Sequence, residues 1–179
     1  HEEVHRLTQL VTDLETLAAA DAAGLQLERA PIDLADVASD VVDAVAGVVS
    51  ERNLSMTTRL DSAPTEADER RIQQIVTNLL VNATRYTPRG GSISIETGRS
   101  PEGEAFVQVT DTGPGVSEED LEHVFDRFYR GEAAHGTEGS GVGLAIAAEL
   151  ATGHGGRLTA ANAPLGGATF TLAIPATTP

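Results

Sequence analysis

Apolar positions along this chain follow two periods, and they divide it into helices and strands. Val4, Leu7, Val11, Leu14 and Ala18 recur at alternating steps of three and four, a narrow heptad seam that Leu10 and Leu17 widen. This spacing predicts an amphipathic helix over residues 4–20, with Glu3, Arg6, Thr8, Asp13 and Glu15 on its polar side. Such a seam seeks a partner helix, or packs onto its own globular domain. Ala22-Ala23-Gly24 and then Pro31 set it apart from the rest of the chain. Residues 25–32 read as a short connector, partly extended because Pro31 biases its predecessor away from helix. Asp33 reads as an N-cap for a helix that runs to about Ser50, with Leu34, Val37, Ala38, Val41, Val42, Val45, Val48 and Val49 tracing its inner face.

Further along, Leu54–Asp61 reads as a strand, followed by a polar turn through Pro64. Asp68–Tyr86 reads as a second helix with Ile72, Ile75, Val76, Leu79, Leu80 and Ala83 inward, stopped by Pro88-Arg89-Gly90-Gly91. Ser92–Thr97 and Glu104–Asp111 alternate as half-buried strands joined near Gly103. Ser117 opens a short capped helix to about Val124. Residues 131–141 are glycine-rich and aperiodic, a mobile loop. Val142–Thr152 is a helix ended by Gly153-His154-Gly155-Gly156. Arg157–Ala161 and Ala168–Ile174 are the last strands, turned by Gly166-Gly167, and a short tail begins at Pro175. Strands that cluster in hairpins imply an α+β, two-layer sandwich: a mixed or antiparallel sheet covered by helices, preceded by one amphipathic helix. The expected organisation is a partial dimerisation helix over 1–24, a connector over 25–32, one domain over 33–175 and a tail over 176–179.

Composition narrows the function. The chain has 179 residues, no Trp and 3% aromatics, so its core must be aliphatic. No run reaches the roughly 20 apolar residues that cross a bilayer, and no signal peptide is visible. Without Cys, disulfides and thiolate metal sites are excluded. A net charge of -15 argues against nucleic acid or an anionic membrane as partner. All 12 basic residues are Arg.

Four segments carry the chemistry. Asn78 and Asn82, in Asn78-Leu79-Leu80-Val81-Asn82-Ala83, lie one helical turn apart, and a neutral amide can offer its oxygen to Mg²⁺. Asp111, in Asp111-Thr112-Gly113-Pro114-Gly115, ends a strand, where a carboxylate can accept from an adenine amine while the glycines let the backbone come close. Phe125 and Phe128, in Phe125-Asp126-Arg127-Phe128-Tyr129-Arg130, are expected to dock the loop base onto the core. Arg127 is expected to pair with Asp126 or Glu122. Gly139-Ser140-Gly141-Val142-Gly143-Leu144 opens a helix, where N–H groups and the helix dipole suit phosphate. It lacks both the preceding strand of a dinucleotide fingerprint and the Lys-Ser/Thr pair of a Walker A loop. Arg85, Arg89, Arg127 and Arg130 lie in or beside these segments, where cations could meet a phosphate.

In this order the segments resemble the N, G1, F and G2 boxes of the ATP-binding domain of bacterial sensor histidine kinases, a branch of the GHKL superfamily with the Bergerat ATP-binding fold. The resemblance spans nearly the whole chain. It implies ATP and Mg²⁺ as ligands, Asn82 on the metal, and Asn78 supporting phosphate or water. It also implies Arg85 on phosphate, Tyr86 against the nucleotide and Asp111 as adenine anchor. Gly113, Gly115, Gly139, Gly141, Val142, Gly143 and Leu144 would line the nucleotide, with Arg130 on the γ-phosphate and Thr169 near the adenine. It implies transfer of the γ-phosphoryl to a histidine on a dimerisation helix, then to the receiver domain of a response regulator, in a homodimeric, membrane-anchored protein whose catalytic part is cytoplasmic. His1-Glu2 does not fit the phosphoacceptor pattern, because no Pro occurs before Pro31. His5 reads as a surface residue and His154 as structural. The chain is therefore expected to hold only the second hairpin helix and to need its phosphoacceptor helix in trans. The alternatives are another ATPase of the superfamily, an anti-sigma serine kinase, or a degenerate interaction module. Gyrase-like relatives carry Glu where Asn78 stands.

Overall fold

A computed structural model describes residues 26–131 and 141–176. The helix expected over 4–20, with His1 and His5, lies outside the described residues, as do Gly139 and the end of the tail. Two sheets are present. The smaller pairs β1 (Ala30–Asp33) with β3 (Pro64–Ala67) antiparallel. The larger takes the order β2-β4-β5-β7-β6, with β2 Ser55–Leu60, β4 Ser92–Arg99, β5 Ala105–Asp111, β6 Arg157–Asn162 and β7 Ala168–Ile174. β2 runs parallel to β4, and every other pair in this sheet is antiparallel. The mixed sheet expected from the hairpin spacing is therefore present. The small sheet is new: the connector and the turn at Pro64 are extended and pair with each other.

Three longer helices cover one face of the large sheet: α1 (Leu34–Glu51), α2 (Glu69–Tyr86) and α4 (Gly143–Gly153). A one-turn helix, α3 (Glu118–Leu121), begins after Ser117, whose hydroxyl accepts the Asp120 N–H at 3.0 Å. The strands alternate as a half-buried sheet must. Ile93, Ile95, Val107, Val109, Phe170 and Leu172 meet Leu34, Val41, Ile75, Leu79, Ile146 and Leu150 of the helices. Most intervening positions, Phe106 and Ala173 excepted, carry polar side chains to the other face, where the Gln108 amide donates to Thr171 at 3.0 Å.

Carboxylates fasten the helix starts. Asp33 caps α1, its Oδ1 accepting the N–H groups of Ala35 at 2.9 Å and Ala63 at 2.8 Å, and its Oδ2 the Ser62 hydroxyl at 2.5 Å. Burial works against this charge, but the three hydrogen bonds together outweigh it and hold the carboxyl below its ordinary value. Asp68 caps α2 through the Arg71 N–H at 3.2 Å and also accepts the Glu28 N–H at 3.0 Å. His154 is the structural residue its glycine turn suggested. Its Nε2 accepts the Asp68 N–H at 3.1 Å, which places its proton on Nδ1, 2.7 Å from the Leu150 carbonyl. Burial lowers its pKa, keeping the ring neutral.

Candidate functional site

The site grows from the end of β5. Ala105, Val107 and Val109 point toward the helices, and the two-residue period puts Asp111 in the same phase. The residue is 3% exposed. Oδ1 accepts the Gly113 N–H at 2.8 Å and the Ala168 N–H at 3.3 Å. Oδ2 has no partner among the described residues. Burial pushes the pKa of this carboxyl up, and the two N–H donors offset only part of the rise. The β6–β7 turn lies directly against this strand end. Gly167 has φ +92°, and a Cβ there would overlap the Asp111 carbonyl, so only glycine lets the turn close over the strand.

Around Asp111 opens a concave cleft that stays in contact with solvent, the kind of site that holds small organic ligands. Asp111, Ala168 and Phe170 form its floor, and Pro114, Gly115 and Val116 one wall. α2 supplies Asn82 and Tyr86, and α4 supplies Leu144. Val124, Tyr129, Arg130 and Gly131 close the remaining side with Asp120. A mostly apolar lining with few polar groups suits a flat heteroaromatic ring that carries charge at one end.

Asn78 and Asn82 share a face of α2 but do different things. The Asn78 amide donates to the Gly143 carbonyl at 2.8 Å, tying α2 to the first turn of α4. Asn82 reaches the cleft, and its amide has no hydrogen-bond partner among the described residues. Arg85 does not line the cleft; its carbonyl accepts from the Arg52 guanidinium at 3.3 Å. α4 begins at Gly143 without a capping side chain, which leaves its first N–H groups to water or a ligand. Val142 is buried behind them, and Gly141 accepts the Phe128 N–H at 3.0 Å.

The aromatic segment departs from the expectation. Phe125 docks as foreseen, edge-on to Phe170 with ring centroids 6.4 Å apart. Phe128 does not dock: it sits at φ +64° and is 64% exposed. Arg127 pairs with Glu149 of α4 through Nε at 3.0 Å, a partner the sequence pattern did not indicate. Asp126 is engaged by His123 at 2.8 Å, a contact that raises the imidazole pKa. Tyr129, given no role of its own by the sequence, donates to Asp120 at 2.6 Å beside the cleft, and that bond pushes the phenol up to about 12. Arg130 lines the cleft as expected.

Thr169 does not line the cleft. Phe170 and Leu172 face inward, so Thr169 faces the uncovered side, where its hydroxyl lies 3.0 Å from that of Thr110. The inward neighbour, Ala168, is the residue that touches the cleft, and strand alternation was the signal for it. Asn82, Tyr86, Asp111, Gly115, Arg130 and Leu144 are thus brought together, while Gly113 braces the carboxylate from behind. Among the described residues no group of three or more His, Asp or Glu could hold a metal ion. No described helix is long and apolar enough to cross a membrane.

Comparison with known proteins agrees with this geometry. Residues 67–178 match the family described as Histidine kinase-, DNA gyrase B-, and HSP90-like ATPase. The chain is 38% identical over 182 residues to the signal transduction histidine-protein kinase BaeS of Escherichia coli (strain K12), covering 97% of this chain and 38% of that protein. It is 40% identical over 178 residues to the signal transduction histidine-protein kinase AfsQ2 of Streptomyces coelicolor, covering 97% of this chain and 31% of that one. Among solved structures, full-length ShkA in complex with AMPPNP superposes with a TM-score of 0.85 at 27% identity, over 99% of this chain and 37% of that one. The chain therefore spans about a third of the length of these three relatives.

Proposed function

We propose a function on one premise: the chain belongs to the Histidine kinase-, DNA gyrase B-, and HSP90-like ATPase family. In our reading it is the nucleotide-binding catalytic part of a sensor histidine kinase. It binds ATP with Mg²⁺ and passes the γ-phosphoryl group to a histidine on the dimerisation helix of the same protein. A response-regulator receiver domain would accept the phosphoryl group next. The observation that carries this reading is Asp111, a buried carboxylate with one oxygen served by two N–H groups and the other left for a donor in the cleft. An adenine amine is such a donor, and guanine presents a carbonyl at that position.

The roles follow from position. Adenine rests on Ala168 and Phe170, with its amine on Asp111, and the phosphates extend toward Asn82 and the start of α4. Asn82 fits a metal that arrives with the phosphates: it is a neutral oxygen donor without a partner, and among the described residues no carboxylate cluster stands ready to bind the ion alone. Bound Mg²⁺ would screen charge on the phosphate oxygens. Arg130 lines the same cleft and would meet the γ-phosphate as charge shifts during transfer. In that step the bond from phosphorus to the β,γ-bridging oxygen breaks and a bond to histidine Nε2 forms, with ADP leaving. Positioning and charge compensation suffice for such a loose transition state. Asn78 is a positioning residue here, because its amide is committed to Gly143. A water-activating carboxylate is missing from that place, which favours transfer over hydrolysis. Residues 1–24 would belong to the dimerisation region, and the full-length protein would be a membrane-anchored homodimer.

Calorimetric titration of the chain with ADP, with and without Mg²⁺, tests the reading. The parent should bind ADP more tightly with Mg²⁺. Asn82→Ala should remove most of that metal-dependent gain, about tenfold for one lost ligand to a charged group, while the fold persists. No binding at millimolar nucleotide would end the proposal.

A further inference from the structure

Asn162, the last residue of β6, stands outside the cleft and is exposed, yet it makes two hydrogen bonds to one wall residue. Its Oδ1 accepts the Val116 N–H at 2.8 Å, and its Nδ2 donates to the Val116 carbonyl at 2.7 Å. An amide side chain so placed imitates the rung of a strand pair: one donor and one acceptor meet one donor and one acceptor. The clasp falls where the loop needs it. Val116 comes directly after Gly115, which lies at φ +76° and whose missing Cβ would come within 2.9 Å of the Asn162 Oδ1. Val116 precedes Ser117, whose hydroxyl caps α3. Gly115 and Val116 form the wall facing the floor of Ala168 and Phe170, while Asn162 itself does not line the cleft. Besides Asn162, the described hydrogen bonds give the Val116 backbone no other fastening.

We propose that Asn162 is a positioning residue for the nucleotide base: by clasping Val116 at both its N–H and its carbonyl, it sets the gap between the Gly115–Val116 wall and the sheet floor into which the adenine ring slides. The inference rests on the nucleotide reading and adds a residue to it. Both bonds are exposed to water, so their weight in global stability is small and their effect is local to the loop.

The test is Asn162→Ala in the same chain, read three ways. ADP affinity should fall about threefold to tenfold, the loss of one or two neutral hydrogen bonds that hold a wall in place. Hydrogen exchange at the Val116 amide should speed up at least as much, because Asn162 Oδ1 is its acceptor. The melting midpoint should stay close to that of the parent. Asn162→Ser, which can make at most one of the two bonds, should shift affinity and exchange in the same direction by less, and it stands in if the alanine variant does not fold. Parent-like ADP affinity with faster Val116 exchange overturns the proposal, since the clasp would then order the loop without shaping the slot. A drop in melting midpoint large enough to account for the lost affinity also overturns it, in favour of a general structural role. If the parent itself binds no ADP, the nucleotide reading falls first and this inference with it, an outcome distinct from failure of the variant alone.

Discussion

Two aspartates at two strand ends are built almost alike and do opposite things. Asp33 ends β1 and Asp111 ends β5, and each uses Oδ1 to accept two backbone N–H groups. One donor in each case lies two residues ahead, and the other comes from a distant turn. The second oxygen separates them. In Asp33 it holds the Ser62 hydroxyl, and the carboxyl titrates below its ordinary value despite the burial that opposes it. In Asp111 it has no described partner, burial dominates, and the carboxyl titrates above its ordinary value. The first residue is a finished joint that steadies the folded state. The second carries a buried charge with unused acceptor capacity, which weakens the empty protein and is relieved by a ligand that donates.

The largest expected effect breaks the functional half of the comparison. Asp111→Asn keeps the shape and lets the amide oxygen accept the Gly113 and Ala168 N–H groups, but it turns an NH₂ toward the cleft. ADP affinity should fall roughly 10- to 100-fold, corresponding to about 1.5–3 kcal/mol for a hydrogen bond to a charged group. The same variant should be no less stable than the parent without nucleotide at neutral pH, since it removes a buried charge. The pH dependence has a definite sign. A folded-state pKa raised above the unfolded one means that the penalty is present at neutral pH and fades as pH falls through the raised value. ADP affinity should fall through that same window, because the proton settles on Oδ2 and turns the oxygen left for the adenine amine into a donor, and Asp111→Asn should lack this component. Calorimetry from the ordinary carboxylate range up to neutral pH, with thermal melts of the empty protein, checks both. Unchanged ADP affinity in the variant would dismantle the adenine assignment.

Asp33→Ala should do the reverse. It deletes an N-cap and strands the buried Ala63 N–H, so about 2 kcal/mol of stability should go. ADP affinity should stay within about twofold of the parent's, under conditions where both are folded. Its carboxyl is held low, so its contribution is present above the unfolded value and is lost as pH falls through the folded one. Acid unfolding of the parent should therefore draw on Asp33, and Asp33→Ala should flatten the acid limb of the stability curve. Urea titrations from pH 3 to 7 would show it, and a variant as stable as its parent would deny Asp33 its role.

The two residues were not equally legible. Asp33 was readable as a cap from local order alone, since it stands between Pro31 and a helical run, and Asp111 was readable from the glycines behind it. What completes each came from far along the chain. Ser62 and Ala63 reach Asp33 only because β1 pairs with β3 in register, Ala30 with Ala67 and Asp33 with Pro64. Four-residue strands that each contain a proline carry no alternation strong enough to announce that pairing. Ala168 reaches Asp111 because β7 lies beside β5, and the hairpin turn at Gly167 is where the chain permits it. Helices and long strands repeat often enough to be read from their period. Side-chain partnerships between elements, such as Arg127 with Glu149 or Tyr129 with Asp120, have no period, and neighbours in sequence did not indicate them.

The smallest effect sharpens the comparison by converting one residue toward the other. Ser62→Ala removes the donor from Asp33 Oδ2 and leaves both N–H bonds to Oδ1, the arrangement found at Asp111. Asp33 should then lose the strongest of its three supporting hydrogen bonds and titrate higher, because burial is opposed by two donors instead of three. Water can replace the hydroxyl at this exposed site, so the stability loss should be modest, about 0.5–1 kcal/mol. NMR titration of the Asp33 carboxyl in both proteins reads the shift directly. An unmoved titration would mean that the hydroxyl adds nothing beyond what solvent supplies. Depth in the protein, not the count of donors, would then be what separates the two aspartates.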